Sequence, residues 1–233
     1  MPRPRGRCVL VFTRTASHEA AAKRMPAARP LFACARARVL AAAASSGAHV
    51  VVAAPVAPAA ARPGARILLQ RGSTFAERLA TALADVRSLG YEEIVVVPGD
   101  VPGLQTRHLR SAFARLRSFS TVLGPSPDGG VYLLGVRGDF SPLLAAVPWC
   151  TSRVFDVLRA NAGRAAVLPA LADVDGHAHL RALRSVPDLD AELAFIVATL
   201  FARAAWPAPA ASGALSDPHR QPFASRPPPP RAA

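Results

Sequence analysis

The sequence is poor in cysteine and lysine and has no long apolar run, and each shortage narrows the class of protein. Its three cysteines, Cys8, Cys34 and Cys150, are far apart and odd in number, which argues against a disulfide-stapled secreted fold and favours a reducing cytoplasm. No stretch reaches the roughly 20 apolar residues that a membrane-spanning helix needs. The apolar run that ends at Phe12 is too short for a signal peptide. These shortages predict a soluble cytoplasmic protein with no membrane span.

The net charge of +13 would suit a nucleic-acid-binding protein, but its distribution along the chain does not. Lys23 is the only lysine beside 27 arginines, and the arginines are spread over most segments instead of forming one stripe interleaved with aromatic residues. The sequence also lacks the P-loop and dinucleotide-binding glycine motifs and any recognisable nucleophile motif. A nucleic-acid partner is therefore disfavoured, and a basic nucleic-acid-associated protein is kept as an alternative.

Short β-branched runs alternate with longer amphipathic stretches, which is the pattern of parallel strands joined by crossover helices. The predicted strands are Cys8–Thr13, His49–Ala54, Arg66–Gln70, Glu93–Val97, Thr121–Gly124, Val131–Val136 and Ala166–Leu168. The predicted helices are Pro30–Ser46, Thr74–Ser88, Thr106–Arg117 with Thr106 as candidate N-cap, Thr151–Ala160 and Leu189–Ala204. We therefore predict one α/β domain over residues 8–204, a flexible basic start at residues 1–7 and a disordered proline-rich tail at residues 205–233.

Aspartates follow the predicted strands at two places, and both could hold a cation. Asp100 comes after the buried strand Glu93–Val97, and the carboxyl ends of parallel strands are where ligands bind in an open α/β sheet. Asp173 and Asp175 lie two residues apart, which in an extended segment directs both side chains the same way. Mg²⁺ prefers oxygen ligands and takes only one or two carboxylates from a protein, so Asp100 and one of the pair would suffice. For Asp100 alone, a turn aspartate that caps the next helix is the alternative.

A loop with paired glycines and a set of basic residues complete the candidate site. Asp128, Gly129 and Gly130 lie between two predicted strands, where they could lie against a ligand or form a hairpin turn. Basic residues follow two of the strands, and cations there would stabilise bound phosphate. In so arginine-rich a chain, a surface salt bridge is the alternative for any single arginine. The candidate phosphate-binding residues are Arg14, Lys23, Arg24 and Arg78.

Four stretches of the chain, together with one short segment after them, carry a resemblance to a known family. They are residues 70–79, 97–104, 123–135 and 147–154, followed by 171–175. Together they resemble a bacterial family of GT-A-like transferases, domain of unknown function 2064, which is related to glycosyltransferases and nucleotidyltransferases. The resemblance implies an α/β, three-layer, Rossmann-like nucleotide-diphospho-sugar transferase (GT-A) fold with a mostly parallel central sheet.

The resemblance also implies roles for individual residues. Asp100 resembles the metal-binding aspartate after the central strand, and Asp175, or alternatively Asp173, resembles the second ligand of Mg²⁺ or Mn²⁺. Asp100 and Asp128 are the implied catalytic residues. The implied substrate-loop residues are Pro102, Gly129, Gly130, Trp149 and Arg153.

The implied activity is that of a metal-dependent transferase with a nucleotide-activated donor. We expect glycosyl transfer from a nucleotide sugar to a small-molecule acceptor. Nucleotidyl transfer from a nucleoside triphosphate, with release of pyrophosphate, is one alternative. A degenerate nucleotide-sugar-binding module is another, because residues 14–25 lack the glycine- and proline-rich loop that related sequences carry after the first strand. The donor, the acceptor and the oligomeric state are left open.

Overall fold

The computed structural model describes residues 6–56, 65–183 and 190–203, which form a three-layer α/β fold. Within these ranges the central sheet has seven strands in the order β3-β2-β1-β4-β6-β5-β7. The strands are β1 (Gly6–Phe12), β2 (His49–Ala54), β3 (Arg66–Leu69), β4 (Tyr91–Val97), β5 (Thr121–Pro125), β6 (Val131–Arg137) and β7 (Ala165–Val167). All neighbouring strands pair in parallel except β6, which is antiparallel to β4 and β5. The predicted mostly parallel sheet is confirmed.

The helices cover both faces of the sheet, as crossover connections require. In the described ranges they are α1 (Ala16–Ala22), α2 (Arg29–Ala44), α3 (Phe75–Ser88), α4 (Thr106–Leu116), α5 (Ser141–Leu144), α6 (Val154–Ala162), α7 (His177–Leu183) and α8 (Ala191–Arg203). A short 3₁₀ turn, Pro26–Ala28, precedes α2. No helix in this described part of the chain combines the length and the apolar character that crossing a bilayer requires.

The sheet is buried from both sides, which explains the continuous apolar runs of its strands. In β1, Val9 and Val11 pack into a core with residues of α2 and α4. The alternate residues Cys8 and Leu10 pack into a second core with residues of α3 and α6. A third cluster joins α1, α2 and α8, where Leu193 is fully buried.

Most predicted elements are confirmed, with bounds that differ by up to three residues. The strand β1 begins at Gly6, so Arg7 is not part of a flexible start; its Nε lies 3.0 Å from Glu93 Oε2 on β4. Thr106 is the first residue of α4 rather than its N-cap, because the extended backbone of Gln105 precedes it. The helix predicted from Thr151 begins at Val154. The predicted tail lies outside the described residues.

The sequence did not reveal α1, α5 or α7. The first of these lies within the segment that departs from the family pattern, and it forms for local reasons. Alanine is the strongest helix former, and Thr15 Oγ1 accepts a hydrogen bond from the His18 amide at 3.2 Å as an N-cap. The loop after the first strand is therefore a short helix, and Lys23 is the C-cap residue that follows it.

Candidate functional site

An open cavity of about 520 Å³ lies at the carboxyl ends of β1 and β4. From β1 the chain continues to β2 and β3 on one side of the sheet and then crosses to β4 on the other side of β1. The strand order therefore reverses between β1 and β4. The loops after them diverge there and leave a crevice. Thr13 and Arg14 after β1 and Gly99 and Asp100 after β4 line its floor. Asp100 therefore lies after the carboxyl end of β4, where it lines the cavity.

Asp100 is held in this floor by its backbone and by close strand packing. A Cβ at Gly99 would lie 2.2 Å from Thr13 Oγ1, so only glycine lets the ends of β1 and β4 approach this closely. The Asp100 carbonyl accepts a hydrogen bond from the Val174 amide at 3.1 Å. That bond fixes the segment after β7 beside β4 and brings Asp175 next to Asp100.

The Lys23 ammonium group joins the carboxylates at the base of the cavity. It donates to Asp100 Oδ2 and to the Val174 carbonyl, and lies 2.8 Å from Asp175 Oδ1 and 3.4 Å from Glu19 Oε1. Only 10% of the Lys23 side chain is exposed. Burial alone would lower the pKa of Lys23, but the charges of Asp100, Asp175 and Glu19 outweigh it and the pKa lies above its ordinary value. The group is therefore a permanent cation at neutral pH.

A second acidic group lies beside this lysine. Asp128, from the loop between β5 and β6, meets Asp173 and Asp175 so closely that one carboxylate oxygen of each lies within 4.8 Å of the others. Burial, and then the charges of Asp175, Asp100 and Asp128, raises the pKa of Asp173 to about 7. Asp173 Oδ1 is buried and has no hydrogen-bond partner among the described residues. An all-oxygen set with an unpaired buried oxygen suits a hard divalent cation, so the residues fit Mg²⁺ or Mn²⁺.

The raised pKa of Asp173 should make the stability of the metal-free protein depend on pH. Between the ordinary value of 3.8 and the folded value of about 7, the folded state binds a proton that the unfolded state has released. This group therefore destabilises the fold increasingly as pH rises through that window. We expect Asp173→Asn to gain stability over the wild type, by about 2 kcal/mol at neutral pH after allowance for solvent screening.

Urea unfolding of both proteins in EDTA from pH 4 to pH 8 measures this effect. The two free energies of unfolding should be nearly equal at the acidic end and diverge towards neutral pH. If the two free energies of unfolding changed in parallel over the whole pH range, the pKa of Asp173 would not be raised by burial and its acidic neighbours.

The Asp128 loop is anchored by the backbone at Gly129. Gly129 has a φ of +88°, and its carbonyl accepts a hydrogen bond from the Phe155 amide of α6 at 2.9 Å. The Gly130 amide donates to Asp128 Oδ1 at 3.0 Å. The paired glycines thus hold the Asp128 carboxylate over the cavity.

Gly129→Ala should disrupt this anchor. A Cβ there would lie 1.9 Å from the Ser152 carbonyl oxygen. Gly138 is a matched control, since it has the same φ of +88° and no heavy atom within 4 Å of a Cβ. We expect Gly138→Ala to cost about 1–2 kcal/mol from backbone strain alone, and Gly129→Ala to cost about 2 kcal/mol more from the clash. Equal losses in urea unfolding would contradict the tight packing of this loop.

Aromatic and basic side chains form the other walls of the cavity. The Phe75 ring lies 5.3 Å from the Trp149 ring and 5.5 Å from the Phe12 ring, centroid to centroid. Arg14 and Arg78 also line the cavity. These side chains add flat apolar surface and two cations to the lining of the cavity.

The structure separates the predicted site residues into two groups. Those that line the cavity are Arg14, Lys23, Arg78, Asp100, Asp128, Gly130, Trp149, Asp173 and Asp175. The other four, Arg24, Pro102, Gly129 and Arg153, are not among the residues that line it.

Each of these four has a physical reason for its position. Arg24 is exposed with a φ of +53°, because the chain reverses after α1. Pro102 is buried, and its carbonyl accepts a hydrogen bond from Arg38 Nε at 3.4 Å. Gly129 acts through its backbone, as described above, and Arg153 is the exposed N-cap residue of α6.

Several residues that line the cavity were missed from sequence, notably Glu19, Gln70 and Phe75. Glu19 carried a readable signal, since it lies four residues before Lys23, the spacing of an ion pair on a helix. Burial, followed by the charge of Asp100, raises the pKa of Glu19. Phe75 gave no signal, because its ring contacts become visible only once α3 is placed.

Comparison with known proteins places the chain in a family. A family model described as "Uncharacterized protein conserved in bacteria (DUF2064)" matches residues 12–151, which is more than half of the chain. Among proteins of curated function, none matches the sequence.

Solved structures share the fold at low sequence identity. A candidate nucleotide-diphospho-sugar transferase from Desulfovibrio desulfuricans G20 is 19% identical, with a TM-score of 0.71 over 84% of this chain and 95% of its own. Rv0371c from Mycobacterium tuberculosis H37Rv, crystallised with manganese, is 19% identical, with a TM-score of 0.55 over 78% of this chain and 100% of its own. A cytidylyltransferase from Leptospira borgpetersenii serovar Hardjo-bovis (strain JB197) is 12% identical, with a TM-score of 0.51 over 85% of this chain and 93% of its own. The predicted nucleotide-diphospho-sugar transferase fold is confirmed.

Proposed function

The chain belongs to the bacterial family DUF2064, and from that premise we propose that it is a metal-dependent transferase that moves a glycosyl group from a nucleotide sugar. The observation that carries the proposal is the convergence of Asp128, Asp173 and Asp175 in the cavity beside Asp100. Three separate segments supply these carboxylates to one cavity, whereas ordinary surface carboxylates need not meet.

The charges that line the cavity support a cation as part of the site. Among the described lining residues, five are acidic and three are basic, so full ionisation leaves two negative charges in excess. A nucleotide diphosphate would be repelled by that excess. A divalent cation would cancel it and would supply positive charge for the phosphates of the donor. The manganese complex of Rv0371c, a protein of the same fold, supports this choice of ligand.

Asp128, Asp173 and Asp175 would hold the cation, which when bound would neutralise charge that develops on the leaving diphosphate. Arg14 and Arg78 line the same cavity, where their guanidinium groups would bind the remaining phosphate oxygens. Asp100 is a positioning residue, since its carboxylate fixes Lys23.

The aromatic wall supports the nucleotide part of the proposal. Phe75 and Trp149 present flat apolar surface at the cavity, and aromatic rings stack on nucleobases and sugars. The cavity volume of about 520 Å³ lies within the range of small-molecule sites. The donor would thus lie with its base or sugar on this wall and its phosphates towards the carboxylates.

The test is to incubate the full chain with a panel of nucleotide sugars and nucleoside triphosphates in Mn²⁺ or Mg²⁺. We expect slow release of a nucleoside diphosphate from one nucleotide sugar, and complete loss of release when EDTA removes the metal. Release of pyrophosphate from a nucleoside triphosphate would show that the reaction is nucleotidyl transfer and not glycosyl transfer. A donor that raises the melting temperature without turnover would indicate a binding module. The absence of both binding and release would overturn the proposal.

A further inference from the structure

The helices on the two faces of the sheet differ in charge. On one face, α2 and α4 pack into the same core and carry six arginines but no acidic residue: Arg29, Arg36, Arg38, Arg107, Arg110 and Arg115. On the other face, α3 and α6 carry three arginines and three acidic residues, which cancel: Arg78, Arg87, Arg159, Glu77, Asp85 and Asp156. An arginine-rich composition alone would leave both faces with excess positive charge. Folding therefore gathers the excess of these helices on one face.

The outer side of α4 carries the most exposed part of this charge. Arg107 and Arg110 are three residues apart, and the C-cap residue Arg117 follows seven residues later, so the three share one side of the helix over about 15 Å. All three are exposed, and among the described residues no carboxylate pairs with them. The sequence from Val101 to Pro127 contains no acidic residue. These three residues, the α4 arginines, are therefore uncompensated cations.

The helix α8 belongs to the same layer as α2 and α4. Arg38 of α2 joins both neighbours, since its Nη1 lies 2.9 Å from Asp190 Oδ2 before α8 and its Nε donates to the Pro102 carbonyl before α4 at 3.4 Å. The acidic residues at the start of α8 contact α2, where Asp190 pairs with Arg38 and Glu192 with Cys34.

The outer side of α8 is apolar. Phe195 is 72% exposed, which is the largest exposure of any large hydrophobic residue in the described ranges. Its neighbours at helical spacing, Ala191, Ala198 and Ala202, are also exposed. An exposed aromatic ring among alanines thus lies in the same layer as the α4 arginines.

Cations and an exposed aromatic ring together fit an anionic lipid surface. Arginines attract anionic headgroups, and an aromatic side chain enters the boundary between headgroups and acyl chains. The phosphates of a nucleic acid would also attract the arginines. They bind hydrogen-bond donors and cations, however, and a phenylalanine surrounded by alanines supplies neither.

We propose that the layer formed by α2, α4 and α8 is a docking surface for an anionic lipid bilayer. The α4 arginines would face the headgroups, and Phe195 would insert among them. The inference is independent of the proposed transfer reaction, because none of these four residues lines the cavity.

Sedimentation of the full chain with lipid vesicles tests the proposal. We expect binding to vesicles of equal parts phosphatidylglycerol and phosphatidylcholine, and none to phosphatidylcholine alone. The triple variant Arg107→Gln, Arg110→Gln, Arg117→Gln should bind on the order of 100-fold more weakly, at about 5-fold per arginine. Phe195→Ala should bind about 10-fold more weakly, because the ring no longer leaves water.

The matched control removes the same charge from the other side of the molecule. It is Arg71→Gln, Arg87→Gln, Arg159→Gln, which changes exposed residues that lie on α3 and α6 or pair with α3. Its affinity should fall by less than about 3-fold, since distant charges are screened at physiological salt. Circular dichroism should show wild-type spectra for both triple variants. If one were unfolded, Arg107→Gln alone would decide, with an expected loss of about 5-fold.

Four outcomes would overturn the proposal. The first is a wild type that does not bind the phosphatidylglycerol vesicles. The second is an equal loss in both triple variants, because binding would then follow net charge and not this surface. The third is unchanged binding by Phe195→Ala. The fourth is tighter binding to duplex DNA than to the vesicles at the same salt, lost in the α4 triple variant, which would make a nucleic acid the partner.

Discussion

Asp175→Asn is expected to lower the rate of the proposed transfer by about 10²–10³-fold. Asp175 is the carboxylate that the two charged groups of the cavity share, with its Oδ1 at 2.8 Å from Lys23 Nζ and its place among the three clustered aspartates. Asparagine preserves the shape but removes the negative charge. The substitution therefore weakens the hold on a divalent cation and leaves Lys23 less well positioned.

The rate is measured with the donor that shows turnover in the panel and with saturating Mn²⁺, and Mn²⁺ affinity is measured separately by dialysis. We expect the affinity to fall at least about 10-fold. Asp156→Asn is the control, because Asp156 is an exposed acidic residue in the first turn of α6 and does not line the cavity. If Asp175→Asn kept the wild-type Mn²⁺ affinity and rate, the three clustered aspartates would have no part in the mechanism.

The parts of the fold that could be predicted from sequence are those fixed by burial. Residues 94–97 of β4 form an apolar run because both faces of the strand are covered there, and Ile94 and Val95 are fully buried as that interpretation requires. Asp100 could be placed at the carboxyl edge of the sheet because it follows the end of this run after only Pro98 and Gly99. These inferences need only neighbours in sequence.

The contacts of the site could not be predicted, because they depend on where separate segments meet. Lys23 and Asp100 are 77 residues apart in sequence, and nothing in either segment specifies the other. Asp128 was predicted to act on substrate, but its membership of the group with Asp173 and Asp175 required the loop conformation at Gly129. Sequence proximity also misled: Arg24 follows Lys23 directly, yet it does not line the cavity.

Lys23→Met is expected to destabilise the metal-free protein by about 3–5 kcal/mol, the usual cost of leaving a buried charge without its partner. Of the carboxylates around Lys23, the side chain of Asp100 is 12% exposed and that of Glu19 is 16% exposed. Methionine fills a similar volume but leaves these two acidic groups facing each other without a cation. Their mutual repulsion in a site with little water should then oppose folding.

Urea unfolding in EDTA tests this expectation, with Arg24→Met as the control that removes an exposed charge and should change stability by less than about 0.5 kcal/mol. The double variant Lys23→Met with Asp100→Asn should recover about 1–2 kcal/mol relative to Lys23→Met alone, because it removes one of the uncompensated charges. That recovery distinguishes electrostatic coupling from lost packing. If the double variant were no more stable than Lys23→Met, the ammonium would contribute by filling space, and the case for Lys23 as a fixed cation in the site would fail.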